Sequence, residues 1–294
     1  MQECLLYKKL KNNQVQCQAC WHYCLIENGQ AGKCGTRQNK NGGLFSLVYG
    51  QCCALHIDPI EKKPLYHFLP GSKTLSIATI GCNFTCWACQ NWQISQGSAP
   101  APEGLGLTPF TSPSEIIKMA MANNCPSISY TYTEPTVFLE YAFAIMKLAK
   151  QAGLKNIWVS NGYFSPQTFE LILPYLDAAN IDLKGFDDEF YQKYCNGRLA
   201  PILENLKKLK QAGVWLEITT LVIPTLNDSP AMFEKIAQFI AKELGPETPW
   251  HISRFSPEIS WKLQHLPATP LSTLETAHKI AQKHDLQNTH LGNI

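Results

Sequence analysis

The chain has 294 residues, 45% of them hydrophobic and only 16% charged, which is enough apolar side chain to bury one sizeable α/β core. A formal net charge of +2, with no run of five or six like charges, argues against a general electrostatic grip on DNA or RNA. Met1 to Gln14 mix Glu, Lys and Asn with Leu5-Leu6-Tyr7, so neither a secretory leader nor a membrane anchor is expected, and a cytoplasmic protein is the expectation.

Twelve cysteines in a full-size α/β chain without a leader point to metal ligation rather than secreted disulfides. The first group is Cys17, Cys20, Cys24 and Cys34, spaced C-x2-C-x3-C-x9-C, with Cys4 upstream and His22 inside. Gly29, Gly32, Gly35, Gly42 and Gly43 surround it, and so few large apolar residues cannot make a core. Metal would then supply the local stability, with zinc the first choice and an auxiliary iron-sulfur cluster the open alternative, since four thiolates suit either. Residues 1–70 read as a Cys-rich metal-binding extension and 71–294 as the core. Cys52-Cys53 read as small strand residues within Leu47–Leu55, and Asp58–Pro64 as a charged loop whose Lys62 and Lys63 are solvated or salt-bridged.

From Leu75 the chain alternates strand and helix. Leu75–Ile80 is a short apolar strand, and a Gly/Pro-rich loop follows some way after it. Ser112-Pro113-Ser114-Glu115 is a capping box opening a helix to about Asn123. Ser127–Thr133 is the next strand, and Pro135 opens a helix with an apolar stripe at Phe138, Tyr141, Ile145 and Leu148. Strands at Asn156–Ser160, Ala178–Leu183, Val214–Ile223 and Trp250–Phe255 alternate with helices at Pro166–Tyr175, Pro201–Ala212 and after Ser229. Ser272-Thr273-Leu274-Glu275 reads as a second capping box launching the last helix. Six strand–helix units imply a parallel sheet with its chemistry at the C-terminal strand ends. Those ends collect Cys82, Cys86 and Cys89, Thr133-Glu134-Pro135, Ser160-Asn161-Gly162, Asp182-Leu183-Lys184, Thr219-Thr220, and His251 with Arg254.

The first strand delivers Ile80-Gly81-Cys82-Asn83-Phe84-Thr85-Cys86-Trp87-Ala88-Cys89-Gln90-Asn91-Trp92, with cysteines at C-x3-C-x2-C. Three thiolates at this spacing can hold three corners of a [4Fe-4S] cube and leave one iron open. A structural zinc would want a fourth protein ligand, and no Cys or His follows Cys89 at short range.

This motif resembles the signature of the radical S-adenosylmethionine (radical SAM) superfamily. With Asp58-Pro59-Ile60-Glu61-Lys62-Lys63-Pro64-Leu65, Cys89-Gln90-Asn91-Trp92 and Tyr130-Thr131-Tyr132-Thr133-Glu134-Pro135-Thr136, the chain looks like the AmmeMemoRadiSam-system radical SAM enzymes. These are relatives of the activating enzymes of glycyl-radical enzymes such as pyruvate formate-lyase. The resemblance implies an open, partial (β/α)6 barrel, a [4Fe-4S] cluster on Cys82, Cys86 and Cys89, and S-adenosylmethionine (SAM) chelated to the open iron. It implies cleavage of SAM to a 5′-deoxyadenosyl radical that takes hydrogen from an unidentified substrate.

The resemblance also implies roles for single residues. Glu134, in place of a Gly-Gly-Glu-Pro-like motif whose glycines are here Tyr132 and Thr133, would meet the SAM ammonium, or else cap the next helix. Lys184 would meet the carboxylate, or else pair with Asp182. Asn161 would meet the ribose, or else form a plain turn. Trp87 or Trp92 would replace, beside the adenine, the aromatic that relatives place where Ala88 stands. Flavodoxin or ferredoxin is the implied electron donor, since no G-x-G-x-x-G fingerprint is present. The protein substrate of an activase, or the partner proteins of the AmmeMemoRadiSam system, are the implied partners, and a non-catalytic iron-sulfur carrier is the remaining alternative. Relatives continue into a Cys-bearing tail, whereas this sequence ends at His290-Leu291-Gly292-Asn293-Ile294.

Overall fold

The computed structural model describes residues 1–97 and 109–294, so the Gly/Pro-rich loop over 98–108 lies outside the described residues. The chain divides into two compact units, Met1–Asn83 with Asn91–Ala178, and Phe84–Gln90 with Ala179–Ile294.

The first unit begins with six short strands: β1 (Gln2–Glu3), β2 (Tyr7–Lys9), β3 (Val15–Cys17), β4 (Leu25–Ile26), β5 (Arg37–Lys40) and β6 (Gly43–Ser46). They form two three-stranded sheets, ordered β1-β6-β5 and β2-β3-β4, with antiparallel pairing. Then β7 (Ala54–Pro59) runs antiparallel beside β8 (Lys73–Ala78), and β8, β9 (Ser127–Tyr130) and β10 (Lys155–Ser160) pair in parallel. All four residues of β9 and five of the six in β8 are buried, as expected of strands covered on both faces.

Helix Pro113–Ala122 starts at the expected capping box: the Ser112 side chain accepts from Glu115 N, and the Glu115 side chain bonds back to Ser112 N. After a 3-10 turn at Pro135–Phe138, helix Leu139–Gln151 buries Leu139, Tyr141, Ala142, Ile145, Met146 and Ala149 and packs on β10 and the preceding helix. Each buried Leu or Ile contributes roughly 1.5–3 kcal/mol.

The second unit carries β11 (Ala178–Asp182), β12 (Trp215–Val222), β13 (Trp250–Arg254) and β14 (Thr289–Gly292), neighbours in that order, with β12, β13 and β14 parallel. Helices Leu199–Gln211, Pro230–Phe239 and Leu271–Lys283 intervene. Strand–helix alternation with parallel pairing gives the expected α/β class.

Several local expectations are corrected. Cys52 and Cys53 precede β7 rather than lying on a strand. Asp58 and Pro59 end β7 instead of opening a loop, because their register with Thr74 and Lys73 completes the pairing. Ser272 does not cap: Pro270, with fixed φ and a carbonyl that accepts Thr273 N, starts the last helix at Leu271. Strand β14 has no expected counterpart, since Thr-His-Leu-Gly carries no apolar run. Among the described residues no helix is long and apolar enough to cross a membrane.

Candidate cofactor-binding site

Beyond β8 the backbone turns sharply at Gly81, whose φ is +95°. A Cβ there would stand 2.4 Å from Thr36 Cγ2 and 2.8 Å from the Cys34 carbonyl oxygen, so the position requires glycine twice over. Gly81 N–H donates to Ile94 O at 2.8 Å, which ties the two ends of the cysteine loop. Gly81→Ala is expected to lower stability by about 2 kcal/mol or more, from backbone strain plus the clash, read as a drop in melting temperature.

Next to it, Asn83 is buried. Its Oδ1 accepts from Asn161 Nδ2 at 2.7 Å, its carbonyl accepts from His22 Nε2 at 2.8 Å, and Asn161 Nδ2 also reaches Cys82 Sγ at 3.9 Å. Asn83 Nδ2 is buried with no hydrogen-bond partner, an orphan donor of the kind a cluster sulfur satisfies.

Glu134 is fully buried and joins the ends of β9 and β10. Its Oε1 accepts from Thr136 N at 3.2 Å, Thr136 Oγ1 at 2.6 Å and Ser160 Oγ at 2.9 Å, and its Oε2 accepts from Asn161 N at 2.9 Å. Burial raises its carboxyl above the ordinary range, against the pull of these donors. Of the two readings of Glu134, the structure displays the cap. Asn161 likewise forms an Asx turn, its Oδ1 accepting from Tyr163 N at 3.0 Å, while its amide joins Asn83.

In the second unit the loop of Cys86 and Cys89 is pinned by backbone bonds from Thr85 N to Cys195 O (3.1 Å) and from Trp87 N to Tyr194 O (3.0 Å). A hydrogen bond with the Cys195 thiol, followed by burial, pushes the Cys86 thiol well up. Cys195 ends a π-helical turn, Tyr191–Cys195, and sequence reading gave it no role because more than a hundred residues separate it from Cys86. Lys184 Nζ bonds Asp182 Oδ2 at 2.6 Å, so the ion-pair alternative is present, and both charges act on Cys86. Trp87 stands edge-on to Tyr194, with Lys262 Nζ 5.7 Å from its ring centroid, and packs with Ala88 against Ile223, Phe255 and Leu263.

Three members of the expected strand-end ring are not at strand ends. Thr219 and Thr220 lie within β12, bonded to Asn180 Oδ1 (2.9 Å) and Leu183 O (2.8 Å). His251 is the second residue of β13, buried against Glu217 Oε2 at 2.6 Å. Both strands run on past these residues, to Val222 and Arg254.

The four N-terminal thiols, of Cys17, Cys20, Cys24 and Cys34, line one small cavity of about 20 Å³ together with His22 and Arg37. Burial pushes the Cys17 thiol up to about 11 and raises that of Cys20 further. Arg37 is buried in an ion pair with Glu140 at 2.8 Å, yet its Nε and Nη1 have no partner. Sequence reading missed Arg37, since its partner is 103 residues away. Among the described residues no group of three or more His, Cys, Asp or Glu side chains stands ready to hold a metal ion. By donor chemistry alone, three thiols suit an open-iron cluster and four a closed site.

Parallel strands with a three-thiol loop at the end of one of them define the class, and the family comparison agrees. The model described as Radical SAM superfamily matches residues 76–240, and the chain belongs to that superfamily. Its members are enzymes of radical chemistry that bind a [4Fe-4S] cluster and SAM. An uncharacterized protein of Methanocaldococcus jannaschii is 44% identical over 294 residues, all of this chain and 86% of the relative. The pyruvate formate-lyase-activating enzyme of Clostridium pasteurianum is 26% identical over 176 residues, 58% of this chain and 70% of that one. The crystal structure of Streptococcus suis SuiB superposes with a TM-score of 0.57 at 13% identity, over 75% of this chain and 50% of that chain, a likeness of fold alone.

Proposed function

We propose that the chain reductively cleaves SAM at a [4Fe-4S] cluster and thereby initiates hydrogen abstraction from its substrate. The observation that carries this reading is the Cys82-x3-Cys86-x2-Cys89 loop beyond β8, within a radical SAM chain. When bound, such a cluster passes one electron to the SAM sulfonium, giving methionine and a 5′-deoxyadenosyl radical. Cys82, Cys86 and Cys89 hold the iron. Glu134 fixes the ends of β9 and β10 and, with them, the backbone acceptors meant for the SAM ammonium. Lys184, oriented by Asp182, supplies the cation for the carboxylate. Asn161 serves the ribose, and Trp87 the adenine.

Electrons come from flavodoxin or ferredoxin. Cys17, Cys20, Cys24 and Cys34, within the extension over 1–70, hold a second metal, zinc or an auxiliary cluster. The orphan N–H groups of Arg37 support this, because a guanidinium offsets the excess negative charge of four thiolates around a dication. A second reading, installation of a glycyl radical on a partner enzyme, is favoured by the likeness to an activating enzyme. Modification of a substrate of the AmmeMemoRadiSam system is its competitor.

Anaerobic reconstitution with iron and sulfide, metal counting, then incubation with dithionite and SAM tests the main reading. The expected result is 5′-deoxyadenosine and methionine, with zinc or additional iron reporting the N-terminal thiols. No 5′-deoxyadenosine from iron-loaded protein would sink it. A protein-borne radical signal on a glycyl-radical partner separates the activase reading from the other.

A further inference from the structure

Tyr132 lies two residues before Glu134 in an unusual backbone. Its φ is +64°, and Thr133 N donates to Thr131 O at 2.8 Å, closing a three-residue γ-turn around it. A γ-turn with positive φ is the rare, strained form, and a bulky aromatic is seldom found in it. Strain of this kind persists only where the surroundings over-determine it.

The surroundings do so from three sides. Thr133 Oγ1 donates to Thr79 O at 2.9 Å, just before the cysteine loop, and Asn91 Nδ2 donates to Tyr132 O at 2.9 Å, just after it. The third hold is the Tyr132 side chain. Its hydroxyl donates to Asp58 Oδ2, which also accepts from Lys63 Nζ at 2.7 Å, while Lys62 Nζ bonds Asp58 Oδ1 at 2.8 Å. Lys63 is 1% exposed, and its ammonium sits 4.3 Å from the Tyr132 ring centroid. Burial brings Lys63 down to about 8, and the hydrogen bonds from Lys62, Lys63 and Tyr132 overcome burial to hold Asp58 well below the usual carboxylate range. Burying two opposite charges is costly, and an ion pair sequestered this way stabilises little by itself. Its placement on the side chain of the strained residue gives it a purpose.

We infer that Asp58 and Lys63 are positioning residues that act through the Tyr132 hydroxyl to hold the strained turn at Thr131–Thr133, and with it the backbone acceptors that receive SAM. The inference rests on the SAM-binding reading above and adds a buried anchor that substitutes for a glycine at position 132.

The test uses reconstituted, iron-loaded protein and measures SAM binding by equilibrium dialysis, KM and kcat for 5′-deoxyadenosine formation, and iron content. Asp58→Asn and Tyr132→Phe are each expected to weaken SAM binding about tenfold, the loss appearing in Kd and KM rather than in kcat or iron. Tyr132→Gly adopts the positive φ with no anchor, so adding Asp58→Asn to it should weaken binding no further. Unchanged SAM binding in Tyr132→Phe overturns the inference, as does an equal Asp58→Asn penalty in both backgrounds. Should Asp58→Asn fail to fold, Tyr132→Phe alone still decides. If wild-type protein binds no SAM, the functional reading fails; if wild type binds and the variants match it, only the anchor fails.

Discussion

Replacing Cys86 with alanine is expected to abolish cluster incorporation and SAM cleavage while leaving the fold in place. The loop around it is held by backbone bonds, Thr85 to Cys195 and Trp87 to Tyr194, which do not depend on the thiol. Removing one small sulfur beside Cys195 costs little packing, whereas a cluster with two remaining protein ligands loses its grip. Iron and sulfide counting after reconstitution, the visible charge-transfer band and 5′-deoxyadenosine yield should all fall to background, with the melting curve of the metal-free protein unmoved. Cys195→Ala is the control, since it removes the neighbouring thiol but none of the three proposed ligands, and iron should remain. Retention of iron and cleavage in Cys86→Ala would displace Cys86 from the ligand set.

The second large effect is expected at Glu134. Alanine there leaves the hydroxyls of Thr136 and Ser160 and the amides of Thr136 and Asn161 without their acceptor inside the protein. Leaving several buried donors unsatisfied, at about 1–3 kcal/mol each, costs on the order of 3–5 kcal/mol in all, and for a chain this long roughly 2–4 °C in melting temperature per kcal/mol. Differential scanning calorimetry should therefore register a drop of about 10 °C, accompanied by loss of SAM cleavage. The pH dependence has a definite sign. Because burial raises the Glu134 carboxyl in the folded state, its stabilising contribution is full below the unfolded-state value and declines as pH rises through the folded-state one. The advantage of wild type over Glu134→Ala should shrink from acidic to alkaline buffer, and an advantage that grows with pH would contradict the assignment.

What could be read from the sequence was whatever is encoded locally. The caps at Ser112 and Ser229, each followed by proline, mark helix starts because the cap bond spans three residues. The cysteine loop was legible for the same reason. The Asp58–Tyr132 and Arg37–Glu140 pairs were not, since their partners lie 74 and 103 residues apart and nothing in either segment marks its counterpart. Lys63 shows the limit well: the ion-pair alternative was right, but nothing in Asp58–Pro64 marks a lysine that is only 1% exposed. Strand β14 escaped because its pairing with β13, rather than its composition, makes it a strand.

The Arg37–Glu140 pair carries a consequence for how the molecule is made. Arg37 Nη2 reaches Glu140 Oε2, Leu5 N reaches Glu140 Oε1 at 3.0 Å, Thr36 Oγ1 reaches Val137 O at 3.2 Å, and Thr168 Oγ1 reaches Ala19 O at 2.7 Å. On the ribosome the segment that supplies four cysteines emerges before the residues that lock it, which follow a hundred or more positions later. At ~5–20 residues per second its thiols wait on the order of 5–20 s for those partners. During that interval the four thiols stand without the partners that later enclose them, so the order of synthesis leaves them accessible to solvent before the protein closes over them.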